Sequence, residues 1–127
     1  MILCGVLLVI SGILSSAVSG LNYNSQRVAA SADNIANSST PNYKSVDIQS
    51  TTISTQQTSS TLYAPGGVLG STRQLNDAGV SIGALNNNVD IGAEFVNLIQ
   101  AETAYGAGLK VIQAGQEMAD SLLDIKA

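Results

Sequence analysis

Four carboxylates stand in pairs one helical turn apart, Asp90 with Glu94 and Asp120 with Asp124. Such pairs hold a divalent cation when further ligands converge on them. They serve as an acid–base pair when a pocket sets their ionisation apart. The remainder of the 127-residue sequence supplies neither condition. It has no histidine, the commonest metal ligand and general base. Its one cysteine, Cys4, lies in an apolar run without an activating partner, and a single thiol excludes an internal disulfide. Gly66-Gly67 is followed by Val68-Leu69-Gly70 with no lysine, so no phosphate-cradling loop is present. The paired carboxylates therefore read as solvated helix faces. No catalytic residue, metal ligand, cofactor or small-molecule substrate is expected, and the chain is not expected to be an enzyme.

Composition points the same way. Charged residues make up 11%, against roughly 25% in typical soluble domains. The net charge is −4 and the five basic residues are scattered, which argues against nucleic-acid binding, since that needs clustered Lys or Arg. Aromatics are 4% and tryptophan is absent. The apolar content is Ala, Val, Ile and Leu, which suits helix-on-helix packing. A surface that is polar yet nearly uncharged suits a chain buried against other chains.

The elements that would carry such packing lie at the two ends. From Asn88 to Ala127, steps of four and three residues pick out Ile91, Phe95, Leu98, Glu102, Tyr105, Leu109, Ile112, Gln116, Ala119 and Leu123. Most of these are apolar, the heptad signature of a helix laid against another helix. The flanking charges Asp90, Glu94, Lys110, Glu117, Asp120 and Asp124 read as its solvated side. The polar seam positions Glu102 and Gln116 are candidates for register-setting contacts. Gly106 and Gly108 would each weaken an isolated helix by about 1 kcal/mol; they either fit a helix that gains its order from assembly or simply kink it.

At the other end, Ile10, Ile13, Leu14, Ala17, Val18, Leu21, Val28, Ala32 and Ile35 recur at helical spacing. Gly12 and Gly20 either are tolerated there or let a second backbone approach. The helix should stop near Asn37, because Ser38-Ser39-Thr40 are weak formers and Pro41 cannot continue it. Asn42 suits a positive φ, and Tyr43 follows as an anchor with a polar tip. Met1 to Leu14 form an apolar run that is short for a membrane span of about 20 residues and lacks the basic start of a secretory signal. It reads as a signal-like or membrane-contacting segment, as part of a packed helix, or as an over-long start.

Between the helices, Gln49 to Thr61 is Ser, Thr and Gln apart from Ile53. It is expected as a flexible or extended linker or as a short β-hairpin. Pro65-Gly66-Gly67 signals a turn. Val68-Leu69 and Val80, Ile82 and Leu85 form two candidate strands around Asn76-Asp77-Ala78-Gly79. Asn86-Asn87-Asn88 offers helix caps, with Asp90 as the other candidate cap.

Two stretches carry a family resemblance. Ser19-Gly20-Leu21, Gln26-Arg27, Ser31-Ala32-Asp33-Asn34-Ile35-Ala36-Asn37 and Thr40-Pro41-Asn42-Tyr43-Lys44 resemble the N-terminal signature of the bacterial flagellar axial proteins, the rod and hook families. Asp33 and Asn42 depart from it, standing where the family has Asn and Gly. Asn88-Val89-Asp90, Glu94 to Ile99, Glu102, Ala104-Tyr105, Ala107, Lys110 to Ile112 and Met118 to Leu123 are similar to the C-terminal signature of the same proteins. The short segment between them resembles that of the proximal-rod members.

The resemblance implies a mainly α fold, with N- and C-terminal helices packed as an antiparallel coiled-coil-like hairpin around a short polar, β-prone middle. The expected organisation is an extension at 1–9, an axial helix and turn at 10–44, a linker at 45–87 and a second axial helix at 88–127. The implied function is a structural subunit of the flagellar basal-body rod, polymerising into a torque-transmitting tube. Its implied partners are itself, other axial proteins and the flagellar type III export apparatus, and its place is the periplasmic rod. The expected assembly residues are Leu14, Leu21, Val28 and Ile35 on the first helix, and Phe95, Leu98, Tyr105, Leu109, Ile112 and Leu123 on the second. The expected turn motif is Asn34, Ala36, Asn37, Thr40, Pro41, Asn42 and Tyr43. The alternatives are a small secreted or membrane-associated helical protein, or a diverged axial relative that assists flagellar assembly.

Overall fold

The apolar spacing at both ends becomes two long helices in the computed structural model, which describes residues 2–53, 66–75 and 86–124. Helix α1 (Ile2–Ala36) and helix α2 (Ile91–Asp124) have 35 and 34 residues. Each is about 50 Å long at 1.5 Å per residue. Between them lie strands β1 (Val46–Ile53) and β2 (Gly67–Gln74). The chain is thus mainly helical, with two helices flanking a short two-stranded sheet. No helix among the described residues is long and apolar enough to cross a membrane.

Helix α1 begins at Ile2 rather than Ile10, so the apolar extension continues the same helix. It stops where Pro41 requires. Beyond Ala36 the backbone closes successive turns, with Asn37 N donating to Asp33 O, Thr40 N to Asn37 O and Tyr43 N to Thr40 O. Asn42 sits at φ 60°, in the left-handed region that asparagine tolerates best among residues with a side chain. Helix α2 starts at Ile91 behind Asp90, whose Oδ1 accepts from Gly92 N at 2.9 Å and Ala93 N at 3.2 Å. Asp90 is therefore the N-cap, and the three asparagines before it have other work.

The strands pair antiparallel, with Val46 opposite Gln74 and Ile53 opposite Gly67. The Gln49–Ile53 part of the polar middle is therefore a strand rather than a linker. Residues 54–61 lie outside the described residues, as do the proposed strand at Val80, Ile82 and Leu85 and the turn at 76–79. Among the described residues, β2 pairs with β1. Thr-rich β1 can be a strand because α1 supplies the missing burial. Ile48 is buried, Tyr23 OH donates to Ile48 O, and Ser19 Oγ accepts from Val68 N at 3.1 Å. A Cβ at Gly67 would lie 2.8 Å from Ser19 Oγ, so glycine lets β2 lie close against α1 at this point. Arg73 and Asp47 face each other at 3.9 Å, but both are about half exposed. That pair contributes at most about 1 kcal/mol.

Contacts between the helices run in opposite directions along them. Asn34 meets Glu94, Leu21 meets Gly108 and Leu14 meets Gly115. Ala101 is fully buried and Glu94 nearly so. The residues of α2 that meet α1 thus recur every seven: Glu94, Ala101, Gly108, Gly115, with Leu122 next. Gly108 is a packing glycine, because a Cβ there would stand 2.9 Å from Leu21 Cδ2. Gly106 faces open space, with nothing within 4 Å of a Cβ. Gly106→Ala should therefore raise the unfolding free energy by about 1 kcal/mol, the helix-propensity difference, which urea denaturation followed by circular dichroism would read.

Candidate assembly interface

Among the described residues, the largest fully buried side chain is an amide. Asn34, on the last turn of α1, is 1% exposed. Its Nδ2 donates to Val46 O at 2.8 Å and to Glu94 Oε1 at 2.7 Å. Its Oδ1 accepts from Val46 N at 2.8 Å and from Tyr43 OH at 3.1 Å. Both donors and both lone pairs of the amide are used. One residue thereby fastens α1, the turn, β1 and α2 together.

Two more asparagines complete the node. Asn87 is 3% exposed and donates through Nδ2 to the carbonyls of Asn37, Ser38 and Thr40, between 2.9 and 3.1 Å. These carbonyls lie just past the end of α1, where no intrahelical donor reaches. Asn87 Oδ1 accepts from Val89 N at 2.8 Å. Asn88 accepts from Ser45 N at 2.7 Å and donates to Leu75 O at 2.8 Å, bridging the start of β1 to the end of β2. Asn86, itself at φ 50°, accepts from Lys44 Nζ and donates to Asn42. The Thr40–Tyr43 turn and the Asn86–Asn88 segment are thus two halves of one polar joint.

This joint corrects one sequence expectation. Glu94 is not on a solvated face; it is 8% exposed and receives Asn34. Asp90 is spent on capping and Glu94 on the joint. Tyr43 is tuned by the same surroundings. Burial raises its phenol above the ordinary value, and the Asp33 and Glu94 carboxylates push it further the same way. The folded chain therefore holds this proton more tightly than the unfolded chain. The resulting stability is fully present below about pH 10 and is lost as pH rises through the raised folded-state value. Tyr43→Phe should remove that part of the alkaline loss, which urea midpoints measured from pH 8 to 11 would show.

The expected packing residues divide into two groups. Leu14, Leu21, Val28, Ile35, Leu98 and Ile112 are half-buried, with Leu14 lying on Gly115 and Leu21 on Gly108. Phe95, Tyr105, Leu109 and Leu123 are exposed, at 54%, 38%, 48% and 68%. The heptad row containing Phe95, Leu109 and Leu123 lies one residue after the row that meets α1, about 100° round the helix. Glu102 and Gln116 are exposed on that same open row. Of the turn motif, Asn37 and Tyr43 are half-buried, while Ala36, Thr40, Pro41 and Asn42 are exposed around buried Asn34.

Sequence reasoning missed Ala101, Gly115, Asn87 and the burial of Glu94. The signal for the first two was small residues at an unbroken seven-residue spacing. The polar pair had no local signal, because each side chain is satisfied only by a segment far away in sequence.

The structure is thus a helix pair fastened by a polar joint, with large apolar side chains left in solvent. Residues 14–44 match the family described as flagella basal body rod protein. Residues 83–125 match the family described as flagellar basal body rod FlgEFG protein C-terminal. Asn34 to Tyr43 falls in the first match and Asn87 to Glu94 in the second, so the joint is where the two matched segments meet. The chain belongs to the flagellar rod and axial protein family, whose role is structural and whose place is the flagellar basal body. Among curated proteins, none matches the chain.

Proposed function

We propose that the chain is a structural subunit of the flagellar basal-body rod that polymerises through its terminal helices into a torque-transmitting tube. The observation that carries this reading is that Phe95, Leu109 and Leu123 of α2 stay exposed, on the row beside the one that meets α1. Burying a large apolar side chain contributes about 1.5–3 kcal/mol, and a row of them left in water is a standing drive to associate. The helices act as a coiled-coil-like hairpin, and the Asn34 joint keeps the pair rigid enough to pass torque. The chain reaches the periplasmic rod through the flagellar type III export apparatus, and its partners are its own copies and other axial proteins.

Deletion of the gene in the source bacterium tests this. Electron microscopy of basal bodies should show truncated rods without hooks. Full-length rods with hooks in the deletion strain would contradict the reading.

A further inference from the structure

A cleft of about 330 Å3 opens beside the joint, between α1, the start of β1 and the first turns of α2. That is the small end of the range for ligand pockets, about 300–1,000 Å3. Some polar groups on its wall have bonding capacity that the fold leaves unused. Ser31 is 4% exposed, and its hydroxyl donates to no acceptor among the described residues. Glu94 is nearly as buried; its Oε1 receives Asn34, and its Oε2 accepts from no donor among the described residues. No fully buried polar side-chain atom among the described residues lacks a partner, so both of these atoms open onto the cleft. The Arg27 guanidinium lies 5.9 Å over the Tyr23 ring and makes no ion pair among the described residues. The groups stand in order along the wall. Ser31 lies one helical turn beyond Arg27 and shortly before Asn34, which holds Glu94. Residues at that spacing are neighbours on one helix face, about 5–6 Å apart. Ala30, Ile48 and Ala93 supply an apolar lining.

We propose that this cleft binds a free α-amino acid, with its carboxylate on Arg27 and Ser31 and its ammonium on Glu94 Oε2. The sign of each group selects this class. A guanidinium and a hydroxyl one turn apart are donors that suit a carboxylate. The free Glu94 oxygen suits a cation, and so does the field of Asp47 and Asp90, which also line the cleft. Those two are otherwise engaged, Asp47 facing Arg73 and Asp90 capping α2. A simple anion would meet Arg27 but be repelled by the carboxylates around it. A simple cation would meet Glu94 but be opposed by Arg27 and leave the Ser31 hydroxyl without an acceptor. A ligand with both charges a few atoms apart satisfies all of them. Water competes poorly at side chains this well covered, so each contact is stronger than at an open surface. The apolar lining favours a short aliphatic side chain such as that of alanine. Bound there, the ligand ties α1 to α2 beside Asn34 and favours the folded chain by mass action. No sequence motif marks the site, because Glu94 joins Arg27 and Ser31 only once the two helices have paired.

The cleft belongs to the single chain, so it is tested apart from the rod role. Isotopically labelled full-length chain is titrated with L-alanine and followed by amide NMR. Two further titrations use the halves of that ligand: propionate, which lacks the ammonium, and ethylammonium, which lacks the carboxylate. L-Alanine should give saturable shifts centred on the amides of Ser31 and Glu94. Each half should bind about tenfold more weakly or worse, the loss expected for one charged contact. Arg27→Gln should weaken L-alanine by a similar factor and leave ethylammonium at least as well bound, a split that a misfolded variant would not show. Propionate binding as tightly as L-alanine would reduce the site to an anion contact, and ethylammonium doing so would reduce it to a cation contact; either result overturns the proposal. So does the absence of saturable shifts with L-alanine at tens of millimolar, or undiminished L-alanine binding by the Arg27→Gln chain.

Discussion

Asn34→Leu should unfold most of the protein, although leucine matches asparagine in the number and branching of its side-chain heavy atoms. The substitution removes four hydrogen bonds at a site that is 1% exposed. It leaves the Val46 N–H and C=O and the Glu94 carboxylate facing an apolar side chain. Each buried polar group without a partner costs about 1–3 kcal/mol, and more for a charged one. Against a total stability of roughly 5–15 kcal/mol for an ordinary domain, three such groups consume most or all of it. Urea denaturation by circular dichroism should show a collapsed midpoint or no native baseline. The double variant Asn34→Leu with Glu94→Met should recover part of the loss, because it removes the stranded carboxylate together with its donor. If the single variant kept the native midpoint, Asn34 would not be fastening the two ends of the chain.

The second large effect concerns two neighbouring residues with opposite consequences. Gly108→Leu should damage the subunit itself. A Cβ alone would stand 2.9 Å from Leu21 Cδ2 and 3.4 Å from its Cγ, so a leucine there must push Leu21 out of its place on α2. Overpacking of this kind costs about 1–3 kcal/mol, only partly offset by the roughly 1 kcal/mol that replacing a helical glycine returns. Leu109→Asp should do the reverse. Leu109 is 48% exposed in the single chain, so an aspartate there stays hydrated and the fold keeps its midpoint. In an assembled wall the same carboxylate would be buried without a partner, a cost large enough to prevent packing. The expected result is a folded, exported subunit that is missing from basal bodies, read by immunoblots of the cell, periplasmic and basal-body fractions. Failure of export would mean that this stretch of α2 carries secretion information instead.

That contrast also shows what the sequence made legible. Two long terminal helices with a stop at Pro41 could be read from apolar spacing and turn chemistry, because both are local. Which row of α2 faces α1 could not. Large apolar side chains dominate any periodicity count, so Phe95, Leu109 and Leu123 stood out as the seam. Yet the closest helix contact needs Ala101, Gly108 and Gly115, which let Leu14 and Leu21 come down onto the backbone. Glu94 was hidden for a related reason: a carboxylate reads as solvated until the amide that receives it, 60 residues earlier, is brought alongside. The Gln49–Ile53 strand depended on Tyr23, Ser19 and a glycine-bearing β2 to give a polar stretch something to pair with and lie on.

The central claim is that this chain is a built-in part of the rod. Mass spectrometry of basal bodies purified from the source bacterium, washed free of membrane and cytoplasmic protein, tests it most directly. The expected result is peptides from both α1 and α2 at an abundance comparable with the other rod proteins. Their absence from basal bodies that contain the other rod proteins would contradict the account.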